Sequence, residues 1–167
     1  AWRVAYCKVF YPLAYYCAYF SIRADAFDYE KMAMGRERLE YYLDIYKAKK
    51  ADGTIEKTEL DEYKDMRIVQ EMYARGYEFT PIDIYKAKAR SFQIIDGKIM
   101  PSFKVVSKIG ESAGESIEIA ARGGKFLSKD DLRQRAKIGQ TVIDKLSELK
   151  LLDGMAESNQ LSLFDVL

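Results

Sequence analysis

The chain has 167 residues, 49% of them hydrophobic and 32% charged, with a formal net charge of +1. That balance suits one domain, or two small ones, with a real core, and it excludes a disordered or strongly polyelectrolyte chain. Two cysteines, Cys7 and Cys17, and no histidine exclude a disulfide framework and a zinc cluster, and remove the usual general base near neutral pH.

The chain opens on AWRVAYCKVFYPLAYYCAYF, which is apolar but interrupted by Arg3, Lys8 and Pro12. It lacks the unbroken apolar length of a membrane span and the cleavage site of a signal peptide. It reads as two helices, over residues 2–10 and from Pro12 to about Phe20, with Pro12 in a first turn. Both are apolar on most sides, as in helices packed within a larger body. Without an initiator Met, and beginning inside such a pattern, the chain reads as a piece of something longer.

Gly35 divides a short helical turn from a longer helix, in which Leu39, Tyr42, Leu43 and Tyr46 recur at helical spacing. Asp52-Gly53 marks a turn. Thr58 is the expected cap of the next helix, with Glu59, Asp61 and Glu62 in its first turn. Gly76 is its expected stop. The period then changes: YEFTPIDIY and RSFQII alternate in the manner of strands, and Asp96-Gly97 predicts a hairpin turn returning through Lys98-Ile99-Met100.

The last third is helical again and carries an internal echo. KIGESAGESIE begins at Lys108 and KIGQTVIDKLS at Lys137. Two short helices joined by a glycine hairpin, twice over, give this pattern. A glycine before a helix lets a ligand approach the backbone where free N–H groups and the helix dipole favour phosphate. Gly110 and Gly139 are equally readable as plain turn residues, and no nucleotide-binding glycine fingerprint accompanies them. Between Arg122 and Lys150 eight cations stand against four carboxylates. Sharing one face, they bind a duplex; spread out, they are a solvated surface.

Near the end, DGMAESN reads as a tether before Gln160-Leu161-Ser162-Leu163-Phe164. An extended peptide of this kind places Gln160 at a pocket rim and buries Leu161, Leu163 and Phe164, each worth roughly 1.5–3 kcal/mol before ordering costs. The alternative is that the tail folds back on the last helix.

These residues resemble a family. QLSLF is similar to the sliding-clamp-binding motif of bacterial replication proteins, and at this position to the end of the PolC-type DNA polymerase III alpha subunit of low-GC Gram-positive bacteria. RVAYCKVFYPLAYYCAYFSIRADAFD resembles that family's late fingers segment. ARGYEFTPIDIYKAKARSFQI resembles its next block. PSFKVVSKIGESAGESIEIAARGGKFLSKDDLRQRAKIGQTVIDKLSELKLLDGM resembles its helix-hairpin-helix region.

The resemblance implies a mainly α fold with a small β element (α+β). It divides into a late-fingers segment (1–76), a small β connector (77–100), a helix-hairpin-helix-like DNA-binding region (101–155) and a tail (156–167). It implies part of a DNA-directed DNA polymerase at the bacterial, cytoplasmic replication fork, with the palm and its metal-binding aspartates upstream. The stretch itself is then catalytically silent and without cofactor; Mg2+ is expected for the parent enzyme. The implied partners are primer-template duplex DNA, the sliding clamp (beta subunit) and the remaining polymerase domains, with no membrane. The implied DNA contacts are Lys108, Gly110, Ser112, Arg122, Lys137, Gly139 and Thr141; the clamp contacts are Gln160, Leu161, Ser162, Leu163 and Phe164. One departure stands out: the family hairpin commonly reads Pro-Gly-Leu-Gly, and here Ser107-Lys108-Ile109-Gly110 puts lysine in place of the first glycine. Arg3, Lys8 and Arg23 face DNA or nucleotide in an intact polymerase, or simply the wet side of a helix.

Two other classes compete with this reading: a helical protein-interaction or structural module that binds no DNA, and an independent enzyme with a carboxylate-only site.

Overall fold

The structure is a computed structural model and describes residues 2–158. Its order is α1 (Trp2–Phe10), α2 (Pro12–Ile22), α3 (Tyr29–Met32), α4 (Arg36–Ala51), α5 (Lys57–Ala74), β1 (Gln93–Ile95), β2 (Lys98–Met100), a 3-10 turn (Phe103–Val105), α6 (Glu111–Ala121), α7 (Lys129–Ala136) and α8 (Gln140–Glu148). The fold is predominantly helical with one small β-hairpin.

The helices begin and end for local reasons. Pro12 opens α2, where its missing N–H leaves nothing unpaired. Asp28 caps α3 by accepting from the Lys31 N–H at 2.9 Å. Gly76, at φ +86°, stops α5 in a conformation that favours glycine. The start of α5 differs from expectation. Glu56 is the cap rather than Thr58, which lies inside the helix. Glu56 and Glu59 cap reciprocally, and the Glu59 carboxylate accepts from the Glu56 N–H at 3.1 Å. Two carboxylates there also suit the positive end of the helix.

The segment before β1 corrects a second expectation. Residues 77–92 alternate like a strand but form no ladder beyond a single bridge from Phe79 to Ile99. Pro81 has no N–H to give. Other donors find side chains instead: Ala89 N–H reaches Glu118 at 2.9 Å and Phe92 N–H reaches the Ser21 hydroxyl at 2.8 Å. The alternation records which side chains face the core, not which backbone groups pair. The turn at Asp96-Gly97 is as expected, with both residues at positive φ (51° and 75°), joining β1 to β2 antiparallel.

Four phenylalanines centre the first half of the core. Phe27 lies 5.1 Å from Phe92 and 5.3 Å from Phe20, and Phe79 lies 5.5 Å from both Phe20 and Phe27. Such ring pairs add to the simple burial of area. Buried residues from Tyr16 to Leu152 form one cluster, so α2, α5, the connector and the hairpin helices share an interior. Gly114 in α6 makes one close approach possible: a Cβ there would meet the Phe103 Cβ at 2.9 Å.

Asp65 of α5 is buried and accepts from the Ala26 N–H at 3.1 Å. Burial pushes its carboxyl up to about 6, against the Ala26 hydrogen bond, and Asp25 and Asp61 add to the rise. The folded state therefore holds this proton more tightly than the unfolded chain does. The resulting stability is present below the ordinary carboxylate range and is lost as pH rises through about 6. Asp65→Asn keeps an acceptor for Ala26 without a charge. Chemical denaturation should find this variant more stable than the parent at pH 7.5 by about 1–3 kcal/mol, with the gap closing below pH ~4.

Candidate nucleic-acid interface

The two Lys-Ile-Gly steps fold alike. Lys108 and Lys137 both take left-handed backbone, at φ 66° and 53°. Ile109 and Ile138 both turn into the core. Gly110 and Gly139 both cap the following helix in extended backbone, at φ −68°, ψ 163° and φ −75°, ψ 162°. The echo in the sequence is a structural repeat: the 3-10 turn leads through the first hairpin to α6, and α7 through the second to α8.

Neither glycine is required by its own backbone, since both φ values are ones any residue adopts. Neither is required by packing, because no atom lies within 4 Å of where a Cβ would stand. What glycine leaves is an open approach to the first N–H groups of a helix, with no side-chain cap competing for them. Ser112 and Thr141, the second residues of α6 and α8, are exposed beside these openings. An anion is the ligand such a site suits.

The two openings differ electrostatically. No acid lies in the first turn of α8. Glu111 lies in that of α6, paired with Arg90, which also reaches Glu115 at 2.8 Å. The α8 hairpin is therefore the better anion site.

The cations counted between Arg122 and Lys150 do not gather on one face. Arg135 is spent inside: it donates to the carbonyls of Ala120 (2.8 Å), Lys125 (3.1 Å) and Gly124 (3.2 Å), and lies over the Phe126 ring. Lys129 pairs with Glu157 at 2.5 Å and Arg133 with Asp130 at 3.6 Å. Arg122 pairs with Glu118 at 3.1 Å at the far end of α6, roughly 18 Å along the helix from Gly110. Among the described residues, Lys108, Lys125, Lys137 and Lys150 have no ion-pair partner. Of the two arrangements the count allowed, a shared cationic face and a solvated surface, what is left on display is a few exposed lysines, two of them in the hairpins.

Lys145 is the clearest case of a cation turned inward. It is 5% exposed and contacts Glu30 of α3, with Glu148 at 3.3 Å. The same Glu30 oxygen accepts from the Ser107 hydroxyl at 3.1 Å. One carboxylate thereby joins α3, the first hairpin and α8. Burial works against both charges, and the hydrogen bonds outweigh it. Glu30 sits below the usual carboxylate range because Lys145 and Ser107 donate to it, and Lys145 sits above the usual amine because Glu30 and Glu148 accept from it. Sequence reasoning missed Glu30 and Ser107. Lys145 did carry a signal: a charge within the apolar stripe of Val142, Ile143, Leu146 and Leu149.

The tether expected over DGMAESN is held at Ala156 and Glu157, the first residues of the expected tail, because the Lys129 and Asp130 N–H groups of α7 donate to their carbonyls (2.8 and 3.2 Å). The expected clamp motif, Gln160 to Phe164, lies outside the described residues. Among the described residues no group of three or more His, Cys, Asp or Glu side chains is placed to hold a metal ion. No described helix is long and apolar enough to cross a membrane.

The repeated hairpin, with a buried isoleucine and a glycine cap, places the chain among known folds. The helix-hairpin-helix motif matches residues 76–161, and the chain belongs to that family. Its similarity to curated proteins is more particular. It is 40% identical over 167 residues to the DNA polymerase III PolC-type of Streptococcus pneumoniae serotype 2 (strain D39 / NCTC 7466). It is 42% identical over 165 residues to that of Streptococcus suis (strain 98HAH33), and 41% over 165 residues to that of Streptococcus pyogenes serotype M2 (strain MGAS10270). These matches take in 99–100% of this chain and 11% of each relative, so the chain spans about a ninth of their length. It is homologous to a small region of PolC-type DNA polymerase III.

The geometry around Lys145 makes the two sides of its ion pair unequal. Glu30→Ala strands a buried ammonium with only Glu148 beside it, whereas Lys145→Met leaves a carboxylate that water still reaches. Denaturant titration should show Glu30→Ala losing about 2–4 kcal/mol and Lys145→Met clearly less.

Proposed function

We propose that this chain is the C-terminal part of a PolC-type replicative polymerase, gripping the backbone of duplex DNA and tethering the enzyme to its sliding clamp. The observation that carries the DNA half is the repeated hairpin: an exposed lysine, a buried isoleucine and an open glycine at a helix start, twice. Backbone N–H groups and lysines of this kind hold phosphates without reading bases, so the grip is independent of sequence. Homology to PolC-type polymerases supplies the context.

In this reading residues 1–76 support the fingers, 77–100 connect, 101–155 hold the duplex and 156–167 reach the clamp. Lys137, Gly139 and Thr141 form the stronger contact; Lys108, Gly110 and Ser112 form the weaker one, tempered by Glu111. Arg122 is the most distant of the candidate contacts. Nucleotide addition, and the Mg2+ it uses, belong to the palm elsewhere in the parent polymerase, which works in the cytoplasm at the replication fork. Clamp attachment rests on Gln160-Leu161-Ser162-Leu163-Phe164, whose Leu and Phe side chains fill pockets on the partner. A module that binds no DNA remains the alternative, and the inward pairing of Arg135 and Lys145 is what favours it.

Gly139→Ser separates the two. Serine is at least as good a helix cap as glycine, so melting should be unchanged or slightly raised, while its hydroxyl occupies the N–H groups a phosphate needs. Anisotropy with a primer-template duplex should show weaker binding despite the intact fold. Lys108→Glu with Lys137→Glu should lower the salt slope of binding by about 2. An unchanged affinity in both variants would assign the hairpins to packing alone. For the tail, Leu163→Ala with Phe164→Ala should abolish binding to purified sliding clamp and leave DNA binding as it was.

A further inference from the structure

The first two helices have more apolar surface than this chain covers. No residue of α1 is buried. Trp2 is 78% exposed, Phe10 62% and Ile22 75%, and Val4, Val9 and Tyr11 are exposed with them. A helix of nine residues gains little from its own hydrogen bonds, so such a face implies a partner. The face is also shaped. Arg3, Val4, Cys7 and Tyr11 on one side, and Ala14, Tyr15, Ala18, Tyr19, Ile22 and Arg23 on the other, line a cleft of about 580 Å³. These positions recur every three or four residues on each helix, so the two stripes face one another across the cleft. Tyr11 joins the two helices, and Arg3 and Arg23 are the lining residues farthest from it along the chain. Neither arginine has an ion-pair partner among the described residues.

We infer that this cleft receives an apolar element of the remaining polymerase, with a carboxylate to meet Arg3 and Arg23. This rests on the reading of the chain as part of a PolC-type polymerase. Two observations choose that occupant. About nine-tenths of each relative's length lies outside the matched region, so an intact polymerase brings a large body of protein beside this one. The lining carries two arginines and no carboxylate, which disfavours a second copy: two such clefts set together would bring four guanidinium groups together.

Cys7 reports on the cleft, since it lines the wall and is exposed in this chain. The test replaces the matched region of the Streptococcus pneumoniae serotype 2 polymerase with this chain and follows iodoacetamide alkylation of Cys7 by mass spectrometry. In the chimera, Cys7 should react about tenfold or more slowly than in the isolated chain, as a thiol reached only through local opening. Val4→Arg with Ala18→Arg, both at exposed positions, should return the chimera's Cys7 to the isolated rate. Equal rates in chimera and isolated chain overturn the inference. Protection that appears in the isolated chain as its concentration rises also overturns it, in favour of a self-dimer. A chimera that extends primers while Cys7 stays reactive sinks this inference alone. A chimera that folds but neither binds duplex nor extends primers sinks the polymerase reading, and the inference with it.

Discussion

The ion pair between Glu30 and Lys145 sets the frame in which the hairpins stand. A charge taken out of water, as that of Lys145 is, costs several kcal/mol unless it is met, and here a carboxylate at the edge of the solvent meets it. The carboxylate accepts from Lys145 and Ser107; the ammonium is shared with Glu148. Apolar packing alone tolerates small slides, because it has no preferred direction. A buried charge with a fixed partner does not. This contact brings the first hairpin and α8 to a common point on α3, so the placement of one hairpin constrains the other.

Around that point the connector works as a mortar. Three of its backbone donors go to Tyr29, Ser21 and Glu118, which belong to elements on both sides of it. Its side chains Phe79 and Phe92 complete the aromatic cluster with Phe20 and Phe27. Together with Glu30 and the Lys104 ammonium, which donates to the Ser21 carbonyl at 3.2 Å, that dual attachment joins the helical first half to the hairpin region.

Much of this was legible in the sequence wherever the cause was local. The proline at the start of α2, the glycines that stop α5 and precede α4, the Asp96-Gly97 turn and the doubled Lys-Ile-Gly all declare themselves within a few residues. Where the cause was distant, pattern misled. One local cause was missed as well: Thr58 is a good cap by type, but Glu56 and Glu59 satisfy each other and win the position. Alternation over 77–92 measured burial, and only the fold reveals that side chains and local turns take most of the hydrogen bonds a neighbouring strand would have taken. Lysines and arginines could be counted but not aimed: Arg135 and Lys145 serve the interior, so charge number overstated charge on display. Glu30 gave no sign at all, because its partners are far along the chain.

The two hairpin lysines carry a last implication. Left-handed backbone costs an ordinary residue roughly 1–2 kcal/mol, a cost glycine escapes. Lys108 and Lys137 both adopt it. The protein thus sits below the thermal robustness open to it at two matched corners, and a screen for heat tolerance alone would drift toward glycine there. Lysine at these corners forgoes that gain and leaves an exposed amine in its place.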